Sequence, residues 1–438
     1  MKRTILVMLL IFSFIFLIAE DINISNTDFS VNVLSSNIDE TVIEYNFGEF
    51  SRQPVEIDGQ TYYKLKLAKE ANTFEAGAPA LPKITRSIVI PNNAKMKVSV
   101  LESDFVEYEM AIAPSKGILP RTVNPEEVPY EFSSIYEQDK FYPANLVELS
   151  QPYILRDFRG VAVQAYPFAY NPNSRILRVY NKLVVKVSNV GIGSENVKYD
   201  SDNKVNREFV QIYANHFINY QQTRYDTVEE EGRIVVICYD DFMEAVQPYV
   251  DWKNQKGLQT DLYSVTEVGS SASAIKSFIQ EQYDMNNGLA YVQLVGDAPQ
   301  VPPFNNSGDS DPSYTLLEGG DNYPEIFIGR FSAENVDEVE TQVERTIHYE
   351  RDVVDGDWQH KGMGVASNQG TGDDNEYDYE HEDNIRQKLL NYTYTEVDQI
   401  YDPSGTATDV ANGLNAGRSI VNYTGHGNTT SWGSTGFS

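Results

Sequence analysis

Residues Arg233–Tyr239 read RIVVICY, a near-continuous apolar run whose β-branched content marks a strand buried on both faces. The alternation after this strand decides the fold. A helical stretch through Pro248–Lys256 stops at Gly257, Leu258–Val265 reads as strand, and Ser273–Tyr283 reads as helix. In that helix Ile275, Phe278, Ile279 and Tyr283 share one face. Leu289–Val295 (LAYVQLV) and Glu325–Gly329 (EIFIG) are further strands, the second leading into a helix with Val336, Val339, Val343 and Ile347 at helical spacing. Met363–Ser367, Glu382–Leu390, Glu396–Tyr401, Val410–Leu414 and Ser419–Tyr423 continue the alternation. Apolar strands alternating with amphipathic helices predict a three-layer α/β/α domain with a mostly parallel sheet.

Toward the N-terminus the period changes. From about Asp21 to Asn219 the chain carries short alternating runs rich in Val, Ile and Tyr. They include Gln60–Leu67, Lys83–Ile90, Met96–Leu101, Ala162–Tyr170 and Ile176–Val187. Turn clusters at Gly77–Pro82, Pro91–Asn93 and Asn171–Ser174 separate them, which predicts an all-β, sandwich-like domain. One helix is expected near its end, over Phe209–Tyr220, carrying His216. Asp226–Gly232 (DTVEEEG) is a short acidic linker between the halves. The 438 residues are too many for one core, so a multidomain chain is expected.

Lys2 and Arg3 precede an apolar run from Thr4 to Ile18 that closes at Ala19 before Glu20 and Asp21, the pattern of a secretory signal peptide over residues 1–19. No later stretch is long enough for a span, so no transmembrane segment is expected after signal removal, and the protein is expected to be secreted or at the cell surface. The net charge of −30 excludes nucleic acid as a partner, because phosphate binding needs clustered Lys and Arg. The one cysteine, Cys238, rules out an internal disulfide framework.

In parallel sheets chemistry sits at the carboxyl ends of the strands. Four such ends carry unusual residues: Gly296–Asp297, Gly329–Arg330, the loop Asn368–Glu382, and Gly425–His426–Gly427. The last turns tightly after a strand and presents an imidazole, a group suited to proton transfer near neutral pH. Gly427 leaves an unobstructed N–H for a developing oxyanion. The other reading of His426 is a turn histidine satisfied by backbone or water.

The stretches Ile328–Glu350 (IGRFSAENVDEVETQVERTIHYE) and Val421–Gly433 (VNYTGHGNTTSWG) closely resemble the gingipain-type cysteine peptidases, a family of caspase-like fold. Val250–Gly257 (VDWKNQKG), Leu294–Asp297 (LVGD) and Tyr401–Pro403 (YDP) extend the likeness over most of Tyr225–Ser438. The β-rich half resembles the family's propeptide more loosely. The resemblance implies a propeptide over 20–224, a peptidase domain over 225–438, and processing between Arg224 and Tyr225. It makes His426 the catalytic histidine and Gly427 the oxyanion donor. Asp378 takes the place of the carboxylate that binds arginine at the base of the S1 pocket; its alternative is one more charge in an acidic loop. Where arginine-specific members carry an acid that orients the histidine, this chain has Gln369, so catalysis runs as a dyad or with Asp373 or Asp374 substituting.

The resemblance also implies structural Ca²⁺ at Asp297, Asp321 and Glu325 with backbone oxygens of Glu318 and Tyr323, and a second site at Glu376 and His381. The second pair reads equally as the first turn of the next helix. Arg330 and His348 are expected to be structural. The family's nucleophilic cysteine would fall beyond Ser438, and Cys238, inside a buried strand, is no substitute. The expectation is a secreted cysteine endopeptidase zymogen cutting peptide or protein substrates after Arg or Lys. Its own propeptide is the inhibitor, and the 438 residues are inactive by themselves. The alternative is a catalytically dead, calcium-stabilised surface or adhesin module, kept open by Gln369.

Overall fold

The computed structural model describes residues 19–67, 70–119, 123–199, 204–228, 232–370, 376–428 and 430–438. The expected signal peptide and the two alternatives Asp373 and Asp374 lie outside the described residues.

Up to Ile192 every strand pairing is antiparallel. One sheet joins Glu20–Asn23, Glu49–Ile57 and Gln60–Lys66. A second is built on Phe158–Ala165, flanked by Ile84–Ile90 on one edge and by Val147–Leu149 and Tyr153–Leu155 on the other. A third is built on the 17-residue strand Ile176–Ile192, which pairs along one edge with Ala94–Glu109. Its other edge takes Phe168–Asn171 and then Glu40–Asn46. Alternation puts Leu177, Val179, Leu183, Val185 and Val187 inward, where they meet Ile43, Phe50, Leu65, Ile88 and Val163 in one core. Ala94–Glu109 runs well past the expected Met96–Leu101. Its second half is mostly solvent-exposed, so apolar patterning could not mark it.

The peptidase-like half begins with strand β1 (Arg233–Cys238), then helix α1 (Met243–Gln255), β2 (Thr260–Ser264), α2 (Ala272–Asp284), β3 (Leu289–Val295) and β4 (Phe327–Phe331). After α3 (Val336–Arg351) come β5 (Lys361–Ala366), α4 (Asp378–Tyr392), β6 (Glu396–Tyr401), α5 (Ala407–Asn415) and β7 (Ile420–Thr424). Local chemistry sets the helix starts: Ser271 Oγ accepts from Ala274 N, and Asn335 Oδ1 from Glu338 N. Thr406 and Asp409 form a capping box. Gly257, at φ +94°, supplies the left-handed residue just past α1.

All seven strands pair in parallel, as expected, but in two sheets: β2-β1-β3-β4 and β6-β5-β7. Strand–helix alternation identifies elements and leaves adjacency to long-range pairing, so the division was not legible. On the first sheet α1 and α3 cover one face, with Val246, Val250, Val339 and Val343 against Val236. On the other face Ile275 and Ile279 of α2 pack with Val235, Ile237 and Leu294. The layering is α/β/α.

The two halves share an aromatic core. Tyr153, Phe158, Phe209, Tyr213 and Phe217 pack with Tyr225, Tyr323 and Phe327. Tyr153 stacks on Tyr323 at 3.9 Å between ring centroids, and Phe209 lies 4.6 Å from Phe327. The helix expected at Phe209–Tyr220 is shorter, Val210–His216, with Arg207–Phe209 as a lead-in 3-10 turn. No helix among the described residues is long and apolar enough to cross a membrane.

Gly160 lets this core close. A Cβ there would lie 2.6 Å from Phe217 Cε1 and 2.7 Å from Tyr153 Cζ. Gly160→Ala is therefore expected to cost roughly 1–3 kcal/mol by forcing both rings aside. Urea unfolding measures it, and a wild-type midpoint would show that the rings yield freely.

Candidate active site at the parallel strand ends

The register of the second sheet places Ala366 opposite both Thr424 and Tyr401. The segment after β5, the Tyr401–Pro403 corner and the Gly425–Gly427 turn therefore leave the sheet side by side. His426 sits in that turn, held from below. The Tyr423 hydroxyl donates to His426 O at 2.5 Å, and Gly433 N donates to the same oxygen at 2.6 Å. The Tyr423 ring stacks on Trp432 at 4.7 Å, and the Phe437 ring lies 5.3 Å from that of Trp432. Gly425 is forced, because a Cβ would lie 2.7 Å from the Tyr423 hydroxyl.

Gly427 pairs with Trp432 in a single antiparallel bridge flanked by Gly433 N–His426 O and Asn428 N–Ser431 O. This is the non-hydrogen-bonded position, so the Gly427 N–H points away from Trp432. His426 Nε2 is buried and has no hydrogen-bond partner among the described residues. No hydrogen bond among them joins Gln369 to this ring.

Asp378 and Glu382 lie on α4, one turn apart and both facing the sheet, at 2% and 1% exposure. The sequence reading placed Asp378 in a loop. The helix starts at that residue, and a carboxylate in its first turn is favoured by the helix dipole. Asp378 Oδ2 accepts from Ser367 Oγ at 2.5 Å. Glu382 Oε1 accepts from Asn422 Nδ2 and Thr424 Oγ1, each at 2.6 Å, and Oε2 is buried without a partner among the described residues. Burial raises the Glu382 carboxyl above its ordinary range. Sequence reasoning missed Glu382 as a site residue, treating it as a helix start. The signal available was its spacing of four from Asp378.

The first carboxylate set divides. Asp297 accepts from Ser332 Oγ at 2.8 Å, away from the other two. Asp321 Oδ2 accepts from Ile154 N at 2.9 Å and Asn196 Nδ2 at 3.2 Å, both from the β-rich half. Lys198 Nζ lies 3.0 Å from both Glu318 carboxylate oxygens. The backbone of Tyr323 donates its N–H to Asp321 Oδ1. Glu325 is fully buried just before β4. Its Oε2 accepts from Leu317 N and Glu318 N, and Oε1 has no partner among the described residues. Burial pushes its carboxyl up to about 7. Among the described residues no three His, Cys, Asp or Glu side chains converge to hold a metal ion. Protein N–H groups take the Asp321 oxygens and Lys198 takes the Glu318 carboxylate, while the expected backbone oxygen of Glu318 is not part of that ion pair. Glu376 and His381 are brought together, Oε2 to Nδ1 at 3.2 Å, with Asn384 on the other Glu376 oxygen.

Beside that loop, Arg156 reaches in from the β-rich half. It donates to Glu325 O and, at 2.8 Å, to Leu289 O, with its guanidinium against the Phe209 and Tyr283 rings. Arg330 makes a bidentate pair with Asp311 at 2.6 and 2.7 Å, the structural role expected of it. Cys238 is fully buried and burial pushes its thiol up to about 12, so it is an inert core residue. Arg224 ends an exposed 3-10 turn, its guanidinium bonded to Ser36 O at 3.0 Å, while Tyr225 stacks on Tyr220. The β-rich half also comes near the segment after β5: a Cβ added to Gly370 would lie 3.6 Å from Pro125 Cδ.

The family model described as Peptidase family C25 matches residues 227–437, and the model described as Propeptide_C25 matches residues 23–226. Gingipain R2 of Porphyromonas gingivalis is 40% identical over 376 residues, 84% of this chain and 51% of that protein. Lys-gingipain of the same organism is 26% identical over 419 residues, 89% of this chain and 23% of that protein. A solved structure described as the Arg-specific cysteine proteinase gingipain R is 39% identical, with a TM-score of 0.46, covering 48% of this chain and 50% of that one. The chain spans about half the length of Gingipain R2.

His216, in the β-rich half with its ring 5.6 Å from that of Tyr323, is expected to make folding stability sensitive to acid. Its Nε2 lies 2.7 Å from the Tyr153 hydroxyl, and burial lowers its pKa below the ordinary 6.5. Below pH 6.5 the unfolded chain takes up a proton that the folded one resists, so this contribution to stability is lost as pH falls. His216→Gln is expected to flatten the acid side of the stability profile between pH 7 and 5; parallel profiles would remove His216 from the effect.

Proposed function

The chain belongs to peptidase family C25, with the family's propeptide ahead of the peptidase half, and on that premise we propose that it is part of a secreted cysteine endopeptidase zymogen that cuts after arginine. The observation that carries the reading is a histidine just past β7 whose Nε2 has no described partner, with Ser367 linking the end of that strand to a carboxylate buried at the start of α4. A general acid–base and a cation-binding carboxylate at one end of a parallel sheet suit cleavage after a basic residue.

A cysteine thiolate from the parent protein, outside residues 1–438, attacks the scissile carbonyl carbon. The C–S bond forms as the carbonyl π electrons move to oxygen, and the Gly427 N–H donates to that oxyanion. The His426 imidazolium passes its proton to the leaving nitrogen as the C–N bond breaks. Water, deprotonated by His426, then releases the acid from the thioester. Asp378 takes the arginine guanidinium of the substrate, Ser367 keeping one of its oxygens oriented.

The residues from Glu20 to Arg224 act as propeptide. Pro125 near Gly370 puts a propeptide turn next to the segment after β5, which supports occlusion of the site. The exposed turn ending at Arg224 supports maturation by a cut between Arg224 and Tyr225, with the protease serving as its own processing enzyme.

In the complete gene product, Asp378→Asn is expected to lower kcat/KM after arginine about 100-fold, equivalent to about 3 kcal/mol of lost charge-assisted binding. Unchanged kinetics would remove the pocket assignment. Arg224→Gln should leave unprocessed precursor on a denaturing gel. Normal processing at the same bond would rule out self-maturation there.

A further inference from the structure

We infer that Glu382 is a positioning residue, locking the strand end that presents His426 to the strand end and helix turn that carry Asp378. The inference rests on the peptidase reading above and concerns a residue that reading does not use.

Four hydrogen bonds connect three elements. Asp378 Oδ2 accepts from Ser367 Oγ just past β5, and Ser367 N donates to Thr424 O, the last residue of β7, at 2.9 Å. Thr424 Oγ1 and Asn422 Nδ2 then donate to Glu382 Oε1. Asp378 and Glu382 are one helical turn apart, so the α4 backbone closes the path into a ring. His426 is two residues beyond Thr424. Shifting the end of β7, which leads into the histidine turn, against Asp378 breaks a member of this ring or unwinds the start of α4.

A buried carboxylate on a sheet face is costly compared with an apolar side chain of similar size. Here it receives two donors on one oxygen at 2.6 Å, the short geometry of charge-assisted bonds. The fold also makes room for it: a Cβ at Gly364 would lie 3.0 Å from Glu382 Oε2, tighter than ordinary contact. The opposite face of β5 and β7 holds Met363, Val365, Val421 and Tyr423, an apolar solution to the same packing problem. On the α4 side, Glu382 Oε1 takes both of its donors from the strand that leads into His426. A misplacement of about 1 Å in a catalytic group costs on the order of 100-fold in rate, which is what such a lock prevents.

The test compares Glu382→Ala, Glu382→Gln and Thr424→Val. Hydrogen exchange by mass spectrometry is read on the 438-residue chain, and kcat and KM for a peptide with arginine before the scissile bond on the complete gene product. Glu382→Ala is expected to speed exchange at least tenfold in peptides covering 421–428, with β1–β4 unchanged, and to lower kcat about 10- to 100-fold. Glu382→Gln keeps an acceptor oxygen and should restore slow exchange and most of kcat. Thr424→Val removes one donor and should give a smaller effect of the same kind, deciding the matter if Glu382→Ala does not fold. Wild-type exchange at 421–428 in both Glu382→Ala and Thr424→Val would overturn the inference. So would a fall in melting temperature with kcat intact. If the wild-type product cuts nothing after arginine, the peptidase reading fails, and the exchange data alone then decide for or against the lock.

Discussion

Parallel backbone pairing is the constraint on which the whole site depends. Because β5, β6 and β7 run the same way and in register, their carboxyl ends stop at one edge. Everything the chain places after those strands is delivered there: Ser367, the Tyr401–Pro403 corner and the His426 turn. Antiparallel pairing would have sent alternate ends to opposite edges and separated Ser367 from Thr424. The hydrogen bond between these two exists only because the strands are level. Asp378 and Glu382 then need no special loop; a helix lying over the same sheet brings both carboxylates to the strand ends on one face.

The elements were legible in the sequence where burial on one face imposed a period. RIVVICY, LAYVQLV and the α2 stripe fell within a residue or two of the observed limits, because each packs an apolar face. Ala94–Glu109 escaped because its outer half faces water, where composition is free. Within the candidate site, the turn at His426 was readable because glycines on both sides declare it, while the roles given to His426 and Gly427 came from the family resemblance. Glu382 was not, since a glutamate on a helix ordinarily faces solvent. Only the packing of α4 shows it turned inward. The division into two sheets was equally hidden, because pairing partners are set by contacts far apart in sequence.

Charge shows the same limit differently. The carboxylates Asp297, Asp321 and Glu325, with backbone oxygens of Glu318 and Tyr323, were expected to gather around a cation, because carboxylates repel. In the structure the β-rich half also reaches this loop: Lys198 pairs with the Glu318 carboxylate, and Ile154 and Asn196 donate to Asp321. Sequence order conceals this, since the donors lie more than a hundred residues upstream in a half with a different period. The interface therefore joins buried charge at Lys198 and Arg156 to an aromatic cluster where Tyr153, Phe209, Tyr323 and Phe327 meet.

The exposed turn at Arg224 has a consequence for timing. While the chain is continuous, the β-rich half is held beside the peptidase half at an effective concentration set by a short tether, on the order of millimolar for flexible linkers. The proposed cut between Arg224 and Tyr225 would remove the tether and none of the contacts at Arg156 or Lys198. Occupancy of the interface would then obey ordinary mass action. At high concentration the two pieces would stay together, and in a large volume they would part. Dilution would complete what such a cut begins.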